Sequence, residues 1–462
     1  MIIKLIDYMD KKYLYDANCN RIVEITEELY TELKKSAGLS ENSRVKEEIE
    51  NLINKGYLKN CFPEKIEHSY TPFVSTTLNN LKKVTLQVTQ ACNFKCRYCG
   101  YAGDNYLNRK HNGLSMSWET AKRAIDFYIQ HSKSSPIAYF GFYGGEPLLE
   151  IDLIKECIEY IEDILKGREI TYFITTNGTL INDKVVELLN KYAVILAISL
   201  DGPEKLHNKN RRYAINGKET YADVIKGIDY LRKNVSDFNN KVKINSVIDQ
   251  QENYLSYVHF FDKNEDVSDI EHEESTIDDS RLSKNIVPSK EYFKTYNRAV
   301  INTYINLILE RETNSAMTKA ILNDIYTLAM AFKVSDNFGH RFHHGGPCVP
   351  GYNRLFVTVN GELFPCEKCS ENSKVLRIGT IFDGYDYKTI ERILNIGQLT
   401  EERCKKCVVA RHCSICAQKI DDIDKLSVAR KLTLCQMQEK ELEHKIKKYI
   451  FYSKVGLIEE EL

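Results

Sequence analysis

Long apolar segments are absent from this sequence of 462 residues. Residues 1–20 mix charged and apolar side chains, which excludes the apolar core of a signal peptide, and no apolar run approaches membrane-spanning length. Excess charge is also absent, because 64 Lys and Arg residues face 65 Asp and Glu residues, a formal net charge of -1. A generally basic surface for nucleic acid is therefore not expected. The sequence predicts a soluble, cytoplasmic protein with no membrane and no nucleic-acid partner.

Cysteine, in contrast, is abundant, with 14 residues. A reducing cytosol disfavours structural disulfides and favours metal ligation. Three cysteines form one short group, eight fall between Cys348 and Cys435, and only Cys19, Cys61 and Cys157 stand apart. This clustering predicts metal centres. The apolar fraction of 43% is enough for real cores, and the length predicts two to four domains.

The first sixty residues predict a small α+β unit in which short strands precede two helices. A polar turn at 10–12 separates the first strands, and Thr26 is a candidate cap for the first helix. Val45 and Leu52 show the helical spacing of the second. This order resembles the winged-helix domain with which many peptide-modifying systems hold a leader peptide by strand addition. A DNA-binding wing and a packing cap without a ligand are the alternatives, although an acidic second helix makes phosphate contact less attractive.

Strand and helix patterns alternate from Val84 to about residue 260, which predicts parallel βα units. In such folds the ligand site lies at the carboxyl ends of the strands. The predicted strands are 84–89, 137–143, 170–175, 194–200 and 242–247, and the predicted helices are near 118–131, 152–166, 182–191 and 221–234.

A loop with Cys92, Cys96 and Cys99 follows the first of these strands. A [4Fe–4S] cluster normally takes four thiolates, so three leave one iron open to a ligand that is not protein. A zinc knuckle that lacks one ligand is the alternative. Glycine or polar residues also stand at or shortly beyond the later strand ends: Gly144, Gly145, Glu146, Thr176, Asn177, Ser199, Arg211 and Arg212.

The cysteine loop and the strand ends together resemble the radical S-adenosylmethionine (SAM) enzymes. The resemblance implies an α/β fold with a partial (β/α)6 barrel, and one [4Fe–4S] cluster with SAM on its open iron. An arginine suits the SAM carboxylate because its planar fork donates two hydrogen bonds. The implied contacts are Tyr98 near adenine, Gly144, Gly145 and Glu146 at the amino group, Thr176 and Asn177 on the ribose side, and Ser199 with Arg211 or Arg212 at the carboxylate.

The eight C-terminal cysteines stand at short gaps that by composition alone would suit zinc. After such a barrel, however, the block resembles the SPASM extension, which holds two auxiliary iron–sulfur clusters. The resemblance implies an outer cluster on Cys404, Cys407, Cys413 and Cys435, and an inner cluster on Cys348, Cys366 and Cys416.

Two departures from the SPASM pattern leave the inner ligand count open. The gap from Cys413 to Cys416 is one residue short, and Cys369 is extra. Either Cys369 completes the inner cluster or one iron stays open to a substrate thiolate. His343 and His344 are lesser candidate ligands.

Glu367 is the candidate catalytic residue. It follows Cys366 directly, at a position where sulfatase-maturing relatives carry an acid that deprotonates the substrate. A carboxylate there is a candidate general base if burial raises its pKa. An ordinary surface residue of the loop is the equal alternative.

The resemblance as a whole is to radical SAM peptide maturases of the sactisynthase and ranthipeptide type, with SPASM and leader-recognition domains. It implies SAM, three [4Fe–4S] clusters, an electron donor such as flavodoxin or ferredoxin, and a precursor peptide with a leader. A 5′-deoxyadenosyl radical would abstract hydrogen from the peptide, and thioether formation is the favoured outcome. The alternatives are a carbon–carbon or carbon–oxygen crosslink, formylglycine formation, and, outside enzymes, a metal-containing winged-helix regulator.

Changes in composition along the chain predict the limits of its domains and loops. The acid-rich stretch from Asp262 to Asp279 predicts a solvated loop, with contact to a basic peptide as the alternative. The predicted domains are 1–62 leader recognition, 63–82 linker, 83–285 barrel, 286–345 bridging helices, 346–440 SPASM domain and 441–462 C-terminal helix.

Overall fold

The computed structural model describes residues 1–35, 42–102, 108–277, 287–311, 315–346 and 348–458. Within those ranges no helix is both long enough and apolar enough to cross a membrane. The end of the acid-rich stretch, at residues 278–279, lies outside the described residues.

An antiparallel sheet of three strands and two helices form the N-terminal unit. Met9 and Asp10 both have left-handed φ, as a tight hairpin turn requires, so the turn lies one residue earlier than predicted. Thr26 caps the first helix as predicted, since its side chain accepts from the Leu29 amide. The elements are β1 (Ile3–Tyr8), β2 (Lys11–Asp16), β3 (Arg21–Ile25), α1 (Glu27–Lys34) and α2 (Ser43–Asn54).

The two faces of this small sheet pack against different parts of the protein. Leu14 and Ile25 form a local core with Leu29 and Leu52 of the two helices. Tyr15, on the opposite face of β2, meets Phe332 edge to face. The unit is therefore anchored on the rest of the chain.

Residues 63–82 contain short ordered elements, β4 (Lys65–Ile66) and α3 (Val74–Thr77). Strand β4 pairs in parallel with a later two-residue strand, Arg341–Phe342. The segment predicted as a linker thus forms backbone hydrogen bonds with a distant part of the chain.

Six parallel strands form the centre of the molecule, as the α/β prediction requires. Four of the helices between them start and end within two residues of their predicted limits. Their order in the chain is β5 (Lys83–Thr89), α4 (Trp118–His131), β6 (Ile137–Gly144), α5 (Ile151–Ile164), β7 (Glu169–Thr176), α6 (Asp183–Lys191), β8 (Val194–Ser199), α7 (Glu204–Asn210), α8 (Tyr221–Asn234), α9 (Phe238–Lys241), β9 (Val242–Ile248), α10 (Tyr254–Lys263) and β10 (His272–Thr276).

Strand β10 corrects the prediction of a solvated loop over residues 262–279. It pairs in parallel with β9, from His272 opposite Ile244 to Thr276 opposite Ile248. An edge strand exposes part of its surface to water, so polar side chains are compatible with it. His272 stacks on Phe261, with ring centroids 4.1 Å apart, which supplies packing that the local sequence does not show.

The C-terminal region continues the central sheet. Its strand Leu355–Val357 pairs in parallel with β5, with Leu355 opposite Val84, and three antiparallel strands follow. The cysteine-rich block is thereby fixed beside the strand that leads into the Cys92 loop. The elements are α11 (Lys290–Ile308), α12 (Ala316–Ala331), β11 (Arg341–Phe342), β12 (Leu355–Val357), β13 (Glu362–Phe364), β14 (Gly379–Thr380), β15 (Gly384–Tyr385), α13 (Tyr387–Leu394), α14 (Glu401–Lys405) and α15 (Val428–Lys454).

Candidate active site

A cavity of about 660 Å³ lies at the carboxyl ends of the central strands. Its size is in the usual range for a ligand site. Most of the predicted site residues of the barrel line it, together with residues of the C-terminal block. The lining includes Cys92, Cys96, Tyr98, Cys99, Gly144, Gly145, Glu146, Thr176, Asn177, Ser199, Arg211, Glu273, Glu274, Glu367 and Lys368.

The three cysteines of the first loop all face this cavity. Burial raises the pKa of Cys92 and of Cys96 to about 12 each. Such thiols remain protonated near neutral pH unless a metal replaces the proton. Three thiols on one loop suit a cluster, in which each thiolate binds a separate iron.

Gly144 and Gly145 are required by the close approach of β6 to the cysteine loop. A Cβ on Gly144 would lie 2.0 Å from the Thr89 carbonyl oxygen, and one on Gly145 would lie 1.9 Å from that of Ala91. The Gly145 and Glu146 amides donate to these same two carbonyls, at 3.0 and 2.8 Å. The glycines therefore position the loop, whereas the sequence suggested only their closeness to a ligand.

We expect Gly145→Ala to distort the Cys92 loop. The new methyl group would displace Ala91, at a cost of about 1–3 kcal/mol for overpacking, and iron at this loop would be lost. Iron content and thermal unfolding measure both effects. Gly113→Ala is the control, because nothing lies within 4 Å of its Cβ position. Equal iron content in the two variants would contradict the expectation.

Glu146 is buried, and its carboxylate accepts hydrogen bonds from within the protein. Oε1 accepts from the Leu148 amide at 3.0 Å and the Thr176 hydroxyl at 2.7 Å, and Oε2 accepts from the Asn177 amide at 2.7 Å. Burial raises the pKa of Glu146, and these bonds oppose the shift. Asn177 in turn donates to Asn93 Oδ1 at 2.6 Å. The network ties the ends of β6 and β7 to the cysteine loop.

A trio of Tyr98, Asp201 and Arg211 lies beside Cys96, and Asp201 and Arg211 are buried. Arg211 Nε donates to Asp201 Oδ2 at 2.9 Å, and the Tyr98 hydroxyl donates to the same oxygen at 2.5 Å. Arg211 Nη1 is 4.0 Å from Cys96 Sγ. Asp201 was not among the predicted site residues, although its place just after β8 was a signal for it.

Arg212 is not among the residues that line this cavity. Its guanidinium pairs with Glu219 at 3.2 Å on the surface. His207 is fully buried: Nδ1 accepts from the Asp201 amide at 3.2 Å, and Nε2 contacts the Thr220 hydroxyl at 3.1 Å. Both ring nitrogens are therefore engaged within the protein.

Strand β10 brings to the cavity acidic side chains from the stretch for which contact with a basic peptide was the alternative prediction. Glu273 and Glu274 both line the cavity. Tyr254 donates to Glu274 Oε2 at 2.7 Å. Only the position of β10 in the sheet reveals this acidic wall.

Glu367 reaches the same cavity from the C-terminal block. Arg354 Nη1 lies 3.2 Å from Glu367 Oε1, in a partly exposed ion pair. Glu367 can line this cavity because β12 pairs with β5, and this pairing brings the loop that carries Cys366 to the carboxyl ends of the central strands. A carboxylate at this position is able to accept a proton from a group in the cavity.

The four predicted outer-cluster cysteines line a second, smaller cavity. Cys435 belongs to α15. This helix starts at Val428, whereas the C-terminal helix was predicted to start at residue 441. His344 lines the cavity as well, whereas both ring nitrogens of His343 are engaged, with the His344 carbonyl and the Gly397 amide. The lining cysteines are Cys404, Cys407, Cys413 and Cys435.

Cys369 lies beside the predicted inner-cluster cysteines. The sulfurs of Cys366 and Cys369 are 3.9 Å apart, and the Cys369 thiol lowers the pKa of Cys366 to about 7. Burial raises the pKa of Cys348, with a further contribution from the adjacent Cys366 and Cys416. The thiols of Cys348, Cys366, Cys369 and Cys416 therefore lie close to one another.

The central region is similar to radical SAM domains. Residues 86–262 match the family model described as Radical SAM superfamily. The chain is 30% identical over 194 residues, 42% of its length, to a serine-type anaerobic sulfatase-maturating enzyme of Bacteroides thetaiotaomicron, and this match covers 45% of the enzyme. The chain spans less than half the length of the sulfatase-maturating relatives it matches.

Longer matches cover most of the chain at lower identity. The radical SAM cyclopropyl synthase TigE of Paramaledivibacter caminithermalis is 24% identical over 84% of this chain and 79% of its own. The structure of native anSMEcpe with bound AdoMet has a TM-score of 0.59 and 20% identity, covering 81% of this chain and 98% of that one. A second anSMEcpe structure, with AdoMet and the Cp18Cys peptide, has a TM-score of 0.55 and 19% identity, covering 80% and 99%. The fold is thus shared with anSMEcpe.

Proposed function

We propose that this protein is a radical SAM enzyme that oxidatively modifies a ribosomally made precursor peptide, forming a thioether between a cysteine sulfur and a carbon atom. One observation carries the proposal. The Cys92 loop, the polar strand ends and Glu367 of the C-terminal block line a single cavity. A [4Fe–4S] cluster with SAM at this loop supplies, when reduced, a 5′-deoxyadenosyl radical able to abstract hydrogen from carbon. A flavodoxin or ferredoxin is the proposed electron donor.

The residues around the first cluster would bind and orient SAM. The proposed contact for the SAM carboxylate is Arg211, with Ser199 beside it. Asp201 holds the Arg211 guanidinium in place through Nε, so its Nη groups keep their orientation toward the cavity ligand. Tyr98, Gly144, Gly145, Glu146, Thr176 and Asn177 complete the proposed SAM contacts.

Residues 1–62 are proposed to recruit the leader segment of the peptide. Strand β3 is at the edge of its sheet, and in the described residues its outer backbone edge has no strand partner. Helix α2 contacts the end of β3, because Glu48 accepts from both the amide and the hydroxyl of Thr26, the residue that follows this strand. An added strand would pair with the outer edge of β3, as in strand-addition recognition.

The C-terminal thiols are proposed to hold two auxiliary [4Fe–4S] clusters. The closeness of Cys369 to Cys366 favours an inner cluster closed by four protein thiolates. Under that assignment the substrate thiol is not iron-bound, and Glu367 is the base available to deprotonate it. The auxiliary clusters would accept the electron that remains after the carbon–sulfur bond forms.

Mass spectrometry of a cysteine-containing precursor peptide tests the function. We expect a loss of two hydrogens per crosslink and the loss of one iodoacetamide-reactive thiol, dependent on SAM, dithionite and the leader. A mass change with an aldehyde reactive toward hydrazides would indicate formylglycine instead. An unchanged peptide across candidate precursors, with SAM still cleaved, would contradict peptide crosslinking.

Carbon–carbon bond formation is the second candidate. The similarity to the cyclopropyl synthase TigE extends over 84% of the chain, which favours this class specifically. The same assay separates the two reactions, because a carbon–carbon bond also removes two hydrogens but leaves every thiol reactive.

A further inference from the structure

A buried lysine stands against the outer-cluster cysteines. Lys431 is only 1% exposed and lines the small cavity with Cys404, Cys407, Cys413 and Cys435. Its Nζ lies 2.5 Å from the Thr400 hydroxyl, 3.4 Å from the Gly397 carbonyl oxygen and 3.5 Å from Cys404 Sγ. A lysine is almost never fully buried unless it has a partner.

Lys431 has no carboxylate partner among the described residues. Its three contacts are a hydroxyl, a carbonyl and a sulfur, so nothing in the protein except a thiolate neutralises its charge. A buried cation without a counter-charge is strongly destabilising. A negatively charged group in the cavity would remove this penalty.

Helix α15 adds to the positive potential at this point. Lys431 is in its first turn, where the helix dipole itself disfavours a cation and favours an anion. Cys435 follows four residues later, so its side chain lies on the same helix face as that of Lys431. The N-terminal end of α15 thus directs the Lys431 ammonium group, the positive end of the helix dipole and the Cys435 thiol toward the same small cavity.

Arg403 is the other cation at this cavity, but it is already paired. Its Nη2 lies 2.6 Å from Glu439, and both side chains are about two-fifths exposed. Arg403 also interacts with Cys435, but Glu439 and water compensate its charge. Lys431 is the buried cation at this cavity that has no carboxylate partner among the described residues.

We propose that Lys431 is the counter-charge of the outer [4Fe–4S] cluster and raises its reduction potential. The proposal rests on the cluster assignment to Cys404, Cys407, Cys413 and Cys435 made above. A cluster with four thiolates is anionic and gains a further negative charge on one-electron reduction. An adjacent ammonium that donates to a ligand sulfur stabilises the reduced form more than the oxidised form. Lys431 would thereby make the outer cluster a better acceptor for the electron released by the substrate.

The test is an EPR-monitored redox titration of the full-length, reconstituted protein. Cys92, Cys96 and Cys99 are replaced by alanine in all samples, which removes the signal of the first cluster. The outer cluster is identified as the signal that Cys435→Ala abolishes. In Lys431→Met we expect the ratio of reduced to oxidised outer cluster, at the unmodified protein's midpoint, to fall about tenfold, or ~59 mV for one electron. The inner-cluster midpoint should not move.

Two further variants make the result specific to charge. Lys431→Arg keeps the cation and should keep the ratio within about threefold of the unmodified protein, which is ~28 mV at 59 mV per tenfold. Lys440→Met, an exposed lysine on the same helix, should leave both midpoints unchanged. Loss of the outer cluster in Lys431→Met but not in Lys431→Arg also supports a counter-charge role.

Three results would overturn the proposal. An unshifted outer midpoint in Lys431→Met would show that the ammonium does not act on the cluster. Loss of the cluster in both Lys431 variants would mean that side-chain shape, rather than charge, is required. If Cys435→Ala removed neither iron nor an EPR signal, the cluster assignment itself would fail, and the role of Lys431 would fail with it.

Discussion

Replacing Cys96 with alanine is expected to abolish SAM cleavage under dithionite. Cys96 is one of three thiols that line the main cavity, beside the Tyr98, Asp201 and Arg211 trio. Loss of a group that merely orients a metal ligand typically costs about 10–100-fold in affinity or activity. Loss of a ligand itself should exceed that, so we expect a decrease in 5′-deoxyadenosine formation of more than about 100-fold. Chromatographic quantification of 5′-deoxyadenosine checks the result.

Two cysteine variants serve as controls for this experiment. Cys157 is fully buried within α5 and outside the cavities described above, so Cys157→Ala should keep SAM cleavage. Cys404→Ala should keep SAM cleavage while losing the iron of the outer cluster. SAM cleavage by the Cys96 variant would disprove the assignment of the first cluster, whereas its loss in all three variants would indicate a folding defect.

The sequence was sufficient to predict five of the six central strands, β5 to β9, and the cysteine groups. Residues 84–89 alternate apolar and polar side chains, which is typical of a strand, and the three cysteines follow this strand directly. The four outer thiols were predicted as one group, and they line one cavity. Local patterns, and ligands close together in the chain, are what a sequence displays directly.

Contacts between distant segments were not predictable in the same way. Glu371 accepts from Gln87 at 2.5 Å and from Arg109 at 2.9 Å, across more than 260 residues, and no local pattern signals this pairing. Strand β10 was missed because its polar side chains hide an edge strand whose packing comes from Phe261 on the preceding helix. The choice between Arg211 and Arg212 also depended on tertiary structure, since adjacent residues on one chain point in different directions.

That choice leads to the second large effect, which is expected for Arg211→Gln. Arg211 is 7% exposed and Asp201 is 1% exposed, so glutamine would leave a buried carboxylate without its counter-charge. Breaking such a pair typically costs about 3–5 kcal/mol in stability. If Arg211 also holds the SAM carboxylate, binding should weaken about 10–100-fold, because hydrogen bonds to charged groups contribute about 1.5–3 kcal/mol. Urea unfolding and isothermal titration with SAM measure the two effects separately.

Arg212→Gln is the matched control, since it makes the same substitution one residue away. Its ion pair with Glu219 is largely exposed, so stability should change by no more than about 0.5 kcal/mol and SAM binding should be unchanged. The double variant Arg211→Gln with Asp201→Asn removes both buried charges and should recover part of the stability. SAM binding should not recover with it, because the guanidinium is still missing. Recovery of both would show that Arg211 acts only through Asp201, and SAM would then require another partner for its carboxylate.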